Sequence, residues 1–195
     1  MPVTNALLIS NVLAYLLLTG SGLPIVEWFA LWPPTGFTSL FEPWQLVTYS
    51  FLHGSIAHIV FNMFALYTFG AGIERLFGSR FYLLYYFACV VGAALAQLTV
   101  VTLQGGLPYP TVGASGGVFG LLLAFGMMFP RRMILLIFPP IPMPAWLFVT
   151  LYGVIELVLG VTGSQAGVAH FAHLGGMVAG FALIQYWRHS RRQRW

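Results

Sequence analysis

The 195-residue sequence contains no Asp and no Lys, and its fixed charges come from eight Arg and four Glu alone. Charged residues make up only 6% of the chain and hydrophobic residues 59%, whereas a soluble domain carries about 25% charged residues. A soluble protein is thereby excluded. The net charge of +4 arises from short Arg clusters at the ends of apolar runs, a pattern that orients membrane spans and gives no basis for nucleic-acid binding. The single cysteine, Cys89, excludes a disulfide within the chain, and its place inside an apolar run makes it a packing residue rather than a thiolate nucleophile.

What is abundant is apolar sequence in lengths that cross a bilayer, which takes about 20 residues per helix. Six spans are predicted, at residues 3–19, 46–69, 81–103, 115–129, 144–159 and 168–187. The first has no positive segment ahead of it and no small-residue cleavage site after it, so it is expected to be a retained helix rather than a signal peptide. No soluble domain or linker is left over, and residues 1–195 are expected to form one six-span unit.

Every Arg falls in the loops after the second and fourth spans or at the C-terminus: Arg75, Arg80, Arg131, Arg132, Arg188, Arg191, Arg192 and Arg194. The other three loops hold none. The positive-inside rule then sets both termini in the cytoplasm, and the lack of an Arg-rich amphipathic leader favours a bacterial cytoplasmic membrane. Residues 20–43 interleave Trp28, Phe29, Trp32, Phe37 and Phe41 with Pro24, Pro33 and Pro34. Such aromatics prefer the headgroup region, so this first outer loop is expected to lie partly in the membrane.

Polar and ionisable side chains within spans are functional candidates because lipid makes them costly. The second span carries His53, His58 and Asn62; the fourth opens with Gly113-Ala114-Ser115-Gly116-Gly117; the fifth carries Glu156; the sixth carries His170 and His173 ahead of Gly175, Gly176 and Gly180. Counting about 1.5 Å per residue from the inner Arg clusters puts Ser115 about 24 Å up, His173 about 22 Å, and Asn62 and His58 about 20 and 26 Å. A serine, a histidine and an amide thus reach one level. Gly116 with Gly120 and Gly176 with Gly180 form two small-xxx-small faces, which predict close packing of the fourth and sixth helices. Ser115 and His173 stand at the outer ends of those faces, where His173 is the expected general base for a Ser115 nucleophile. His58 and Asn62, one turn apart on one helix face, are expected oxyanion donors together with the Ser115 backbone N–H. His53 and His170 are expected to be structural or cavity-lining.

Two other motifs are set aside. Gly113 to Gly117 formally fits G-x-S-x-G, but that elbow requires a preceding strand, and Pro108-Tyr109-Pro110 leads in from a loop. Histidines in two helices suggest a metal or haem, yet H-E-x-x-H is absent and no carboxylate is expected near them, so no metal or other cofactor is expected.

Taken together, these residues resemble the rhomboid intramembrane serine proteases. The resemblance rests on H-x-x-x-N at His58 and Asn62, G-x-S-G from Gly113 to Gly116, and A-H-x-x-G-x-x-x-G at Ala172, His173, Gly176 and Gly180. It implies an all-α membrane protein, a six-transmembrane-helix bundle with a membrane-embedded first loop, acting through an acyl-enzyme on Ser115. The implied partners are transmembrane protein substrates cut near the outer membrane face. Natural substrate, cleavage sequence and oligomeric state are not legible. Glu74, Arg75 and Gly78 are implied to be structural, Phe119 to pack against the histidine, and residues 160–167 to cap the site. Trp44-Gln45 departs from the commoner Trp-Arg pair, leaving the anchoring of the first loop open. The alternative is an inactive rhomboid-like protein that binds membrane clients. Glu156, about 15 Å above the inner end of its helix against about 22 Å for His173, is expected to lie too deep to orient the histidine. The expectation is therefore a Ser-His dyad without a third carboxylate.

Overall fold

The computed structural model describes residues 1–34, 40–105, 109–136, 140–164 and 167–192. In chain order these form α1 (Pro2–Gly20), the short α2 (Ile25–Phe29) and α3 (Gln45–Thr48), and a 3-10 turn (Tyr49–Phe51). There follow α4 (Ile56–Ala65), a π-helical turn (Leu66–Gly70) and α5 (Ala71–Phe77), which together make one continuous rod, then α6 (Ser79–Gln104) and α7 (Ser115–Met128). A hairpin of β1 (Met133–Leu135) and β2 (Pro142–Pro144) leads to α8 (Ala145–Thr162) and α9 (His170–Arg192). Pro2–Gly20, Ile56–Phe77, Ser79–Gln104 and Ala145–Thr162 are long and apolar enough to cross a membrane. The fourth and sixth predicted spans form helices α7 and α9, but α7 has only 14 residues, and α9 carries three histidines and ends in Arg188, Arg191 and Arg192.

The second predicted span differs most. Its first ten residues do not continue a helix: α3 and the 3-10 turn end at Phe51, and Ser55 starts α4 afresh, its hydroxyl accepting the His58 backbone N–H at 3.1 Å. His53 therefore sits ahead of the helix rather than on it, fully buried, its ring edge-on to His58 at 4.9 Å. The hairpin is also new to an all-α expectation. Its register pairs Met133 with Pro144 and Leu135 with Pro142; a proline lacks an N–H to donate and so argues against a strand except at an edge, which is where a two-stranded ribbon puts it.

Helices α6, α7 and α9 form the centre, and glycine sets their spacing. A Cβ on Gly176 of α9 would run into the Gly116 backbone of α7, and one on Gly120 would meet Cys89 of α6. A Cβ on Gly180 would strike the Tyr85 ring, whose hydroxyl instead donates to the Gly120 carbonyl at 2.7 Å. Cys89, fully buried, thus plugs the junction of the three helices. At the other end of α7, Arg188 Nη2 donates to the Met127 carbonyl at 3.2 Å, satisfying an acceptor of its last turn.

Glu74 is the second organiser. Met1 offers no side-chain cap to α1, and the buried Glu74 carboxylate takes that place, accepting Val3 N–H at 3.1 Å and Thr4 N–H at 2.9 Å. It also accepts the hydroxyls of Thr4 and Ser79, both at 2.7 Å, so one anion at a helix N-terminus ties α1, α5 and α6 together.

Two stability tests follow from this packing. Gly176→Ala is expected to lower the thermal midpoint in detergent, overpacking costing about 1–3 kcal/mol, whereas Gly20→Ala, where a Cβ meets nothing within 4 Å, is expected to leave it unchanged. Glu74→Ala should destabilise by about 2–4 kcal/mol, the loss of a charged acceptor from several buried donors; an unaltered midpoint would remove its organising role.

Candidate active site

The site begins with the loop that delivers Ser115. Gly113 has φ +131°, and a Cβ there would fall within 3 Å of His58 Nε2 and 3.6 Å from Ser115 Oγ. Only glycine meets both demands, and His58 and Ser115 flank its Cα. The loop is pinned by Gly113 N–H donating to the Tyr49 carbonyl at 3.0 Å and by reciprocal bonds between Leu31 and Thr111 at 3.0 and 2.9 Å. Leu31 belongs to the segment that follows α1, which is anchored in turn by Gln45. Its amide donates to the Leu40 carbonyl at 2.8 Å and accepts Trp32 N–H at 3.2 Å, while Trp44 Nε1 donates to the Trp28 carbonyl at 3.0 Å. A neutral amide thus does the anchoring at the Trp-Gln pair. Trp28, Phe29 and Trp44 are exposed on this segment; Phe37 lies outside the described residues.

Ser115 opens α7. The first bond inside that helix runs from Val118 N–H to the Ala114 carbonyl at 3.0 Å, so the N–H groups of Ser115, Gly116 and Gly117 have no partner in the helix. Ser115 Oγ lies 2.8 Å from His173 Nε2, and the Phe119 ring, one turn down α7, stacks on the His173 imidazole at 4.2 Å and 6°. The close approach of Gly116 and Gly176 is what brings these two side chains within reach. Asn62, buried on α4, donates one amide N–H to the His58 carbonyl at 2.9 Å, leaving its second N–H for the cavity.

The structure corrects the expectation about Glu156. Its Oε2 lies 2.8 Å from His173 Nδ1 and 2.7 Å from His170 Nδ1, all three side chains being buried. Ser115, His173, Glu156 and His170 therefore form one hydrogen-bonded row. Depth counted separately along each helix assumes parallel axes and starting residues at one level, and its error approaches one turn, about 5.4 Å; the exclusion of Glu156 rested on little more than that. Counting instead from the connection shared by α8 and α9 brings the two residues within one turn of each other. Glu156 lies six residues inside α8 and His173 three inside α9, about 9 and 4.5 Å from it. Sequence reasoning also gave His170 no partner, although it stands one turn before His173 on the same face.

Glu156, His170 and His173 offer ligand atoms within 4.8 Å of one another, so a carboxylate does accompany the histidines. Bonds of about 2.0–2.2 Å to zinc in a tetrahedral site would hold ligand atoms about 3.3–3.6 Å apart. Here both imidazole nitrogens bond directly to one carboxylate oxygen, and the other nitrogen of His173 faces Ser115, which is a hydrogen-bonded arrangement rather than a spread set of ligands.

A cavity of about 1150 Å³ runs along α7 between α4 and α8, with His58, Asn62, Ser115, Glu156 and His173 in its wall and Arg75 and Arg132 toward its far end. Helix α8 continues to Thr162, so the expected capping loop begins only at Gly163, in the left-handed region at φ +65°; Gln165 and Ala166 lie outside the described residues.

The family model for the rhomboid domain matches residues 40–190. The chain is 32% identical over 142 residues to rhomboid protease GluP of Bacillus subtilis, covering 72% of this chain and 25% of that protein. It is 31% identical over 151 residues to the mitochondrial rhomboid protein 1 of Saccharomyces cerevisiae, covering 70% and 39%. To RHOMBOID-like protein 4 of Arabidopsis thaliana it is 36% identical over 143 residues, covering 73% and 33%. The chain thus spans between a quarter and two fifths of the length of these relatives. Helices of membrane-crossing length and a family model that covers most of the sequence agree: this chain is an integral membrane protein and belongs to the rhomboid family.

Proposed function

We propose that the chain is an intramembrane serine endopeptidase in which Ser115 is the nucleophile and His173 the general base. The observation that carries this reading is the 2.8 Å contact between Ser115 Oγ and His173 Nε2 inside a helix-lined cavity. As Ser115 Oγ attacks the substrate carbonyl carbon, its proton passes to His173 Nε2 and the carbonyl electrons move onto the oxygen. The free N–H groups at the start of α7, the His58 ring and the remaining Asn62 N–H are the donors for that oxyanion. Collapse expels the amine, which takes the proton from His173. Water then attacks the Ser115 ester, again with His173 as base, and releases the acid.

The substrate is a transmembrane segment of another protein, admitted sideways through the cleft between α4 and α8. A helical peptide bond has its carbonyl engaged in the backbone ladder, so the segment must unwind before Ser115 reaches it, and a small side chain at the cut fits the crowded ground beside Gly113. In this reading α7 and α9 complete a six-span bundle, with both termini on the Arg-rich cytoplasmic side and the site near the outer face. The exposed tryptophans of the first loop then lie at the outer headgroups. The protease-named relative in Bacillus subtilis supports the activity.

Purified protein in vesicles, incubated with a panel of single-span substrates, is expected to cut at least one, and Ser115→Ala to abolish the cut. Cleavage surviving that substitution would refute the nucleophile. No cleavage and no serine labelling in the wild type would favour the client-binding alternative. His58→Ala and Asn62→Ala should each lower kcat by up to about 100- to 1,000-fold, the effect of one lost oxyanion donor; a folded double variant with wild-type kcat would dismiss both.

Chelation gives a separate test. EDTA is expected to leave activity unchanged, since the ligand atoms of Glu156, His170 and His173 are engaged with one another and with Ser115. Loss of activity restored by zinc would overturn that.

A further inference from the structure

We propose that Glu156 is a positioning residue for His173 and that His170 holds Glu156 in place for that task. The inference rests on the serine-protease reading above and adds two residues to it. An ionised carboxylate is an acceptor only. With Glu156 Oε2 at 2.8 Å from His173 Nδ1 and 2.7 Å from His170 Nδ1, each of those nitrogens must carry the proton. His173 is thereby fixed with an unprotonated Nε2, which is the atom 2.8 Å from Ser115 Oγ. The hydrogen bond at one ring nitrogen sets the tautomer at the other, so Glu156 selects the form of His173 that can accept the serine proton. Phe119, stacked flat on the ring, prevents it from turning over, and Glu156 fixes its rotation within that plane.

His170 has no other task in view. Its Nε2 is buried without a partner among the described residues, and its one hydrogen bond is spent on Glu156. Burying a polar ring in this way is unfavourable, and the return is a second donor that keeps the carboxylate on the side facing His173. When His173 becomes an imidazolium, Glu156 is the adjacent anion, and the developing charge is balanced between two buried side chains. Among the described residues His58, on α4, is a further titratable neighbour of His173, and it offers no negative charge. Glu156 itself never touches the reacting atoms.

The test is a double-mutant cycle on Glu156→Gln and His170→Phe, read by the rate of fluorophosphonate labelling of Ser115 and by kcat and KM for a cleaved transmembrane substrate. Glu156→Gln is expected to lower labelling and kcat by at least about 100-fold, toward the 10,000-fold seen when the triad Asp of a serine protease becomes Asn, with KM little changed. His170→Phe should cost less, about 3- to 10-fold, and the double variant should be no slower than Glu156→Gln alone, because His170 acts only through the carboxylate. A folded Glu156→Gln protein labelled within about threefold of wild type, while Ser115→Ala is inert, would overturn the positioning role and leave the protease reading intact. Activity in Ser115→Ala would overturn the reading itself. Should Glu156→Gln not fold, nitrogen NMR of ring-labelled histidine in the wild type decides: His173 must carry its proton on Nδ1 with Nε2 bare, and the reverse tautomer contradicts the proposal.

Discussion

The contact on which the rest depends is the approach of α9 to the α7 backbone at Gly176 and Gly116, where a side-chain carbon on Gly176 would strike Gly116 and one on Gly116 would strike Ala93 of α6. In a lipid surrounding, apolar side chains gain little by leaving lipid for one another, so helices associate through close packing and hydrogen bonds. Glycine permits both, and it does so one residue from Ser115 and three from His173. The same spacing that closes the bundle therefore sets the reach between hydroxyl and imidazole, and bulk added to that face would part the two side chains before it touched either.

Buried charge is handled twice in this chain, in two ways. Glu74 is surrounded by fixed donors, two backbone N–H groups of one helix terminus and two hydroxyls. Glu156 meets two imidazoles, rings whose nitrogens can each either donate or accept. A carboxylate held by permanent donors makes a joint. One held by imidazoles can set which ring nitrogen carries the proton, and that contrast is the physical basis for proposing Glu156 as a positioning residue and Glu74 as an architectural one.

Much of this was legible in the sequence because lipid leaves so few ways to hide polar groups. The apolar runs at residues 81–103 and 144–159 are recovered as α6 and α8 with ends shifted by a few residues. The glycine faces named the helices that pack, and counting from the Arg clusters drew Ser115, His58, Asn62 and His173 toward one level. What escaped depends on information outside any single helix. The break before Ser55 lies in a stretch as apolar as a helix, and Met133–Leu135 merges with the apolar sequence around it. Glu156 was misplaced because its depth was measured from the wrong end, while the short connection between α8 and α9 fixes its level against His173 directly. The anchoring by Gln45 required knowing which carbonyls its amide would meet, those of Trp28 and Leu40.

The central claim is that Ser115 is made nucleophilic by His173 within this helix-lined cavity. The most direct measurement is peptide mapping by mass spectrometry of the protein in vesicles after reaction with a fluorophosphonate. The account predicts one stoichiometric adduct, on Ser115, that disappears in a folded His173→Ala variant. An unmodified Ser115, or an adduct that forms equally fast without His173, would contradict it.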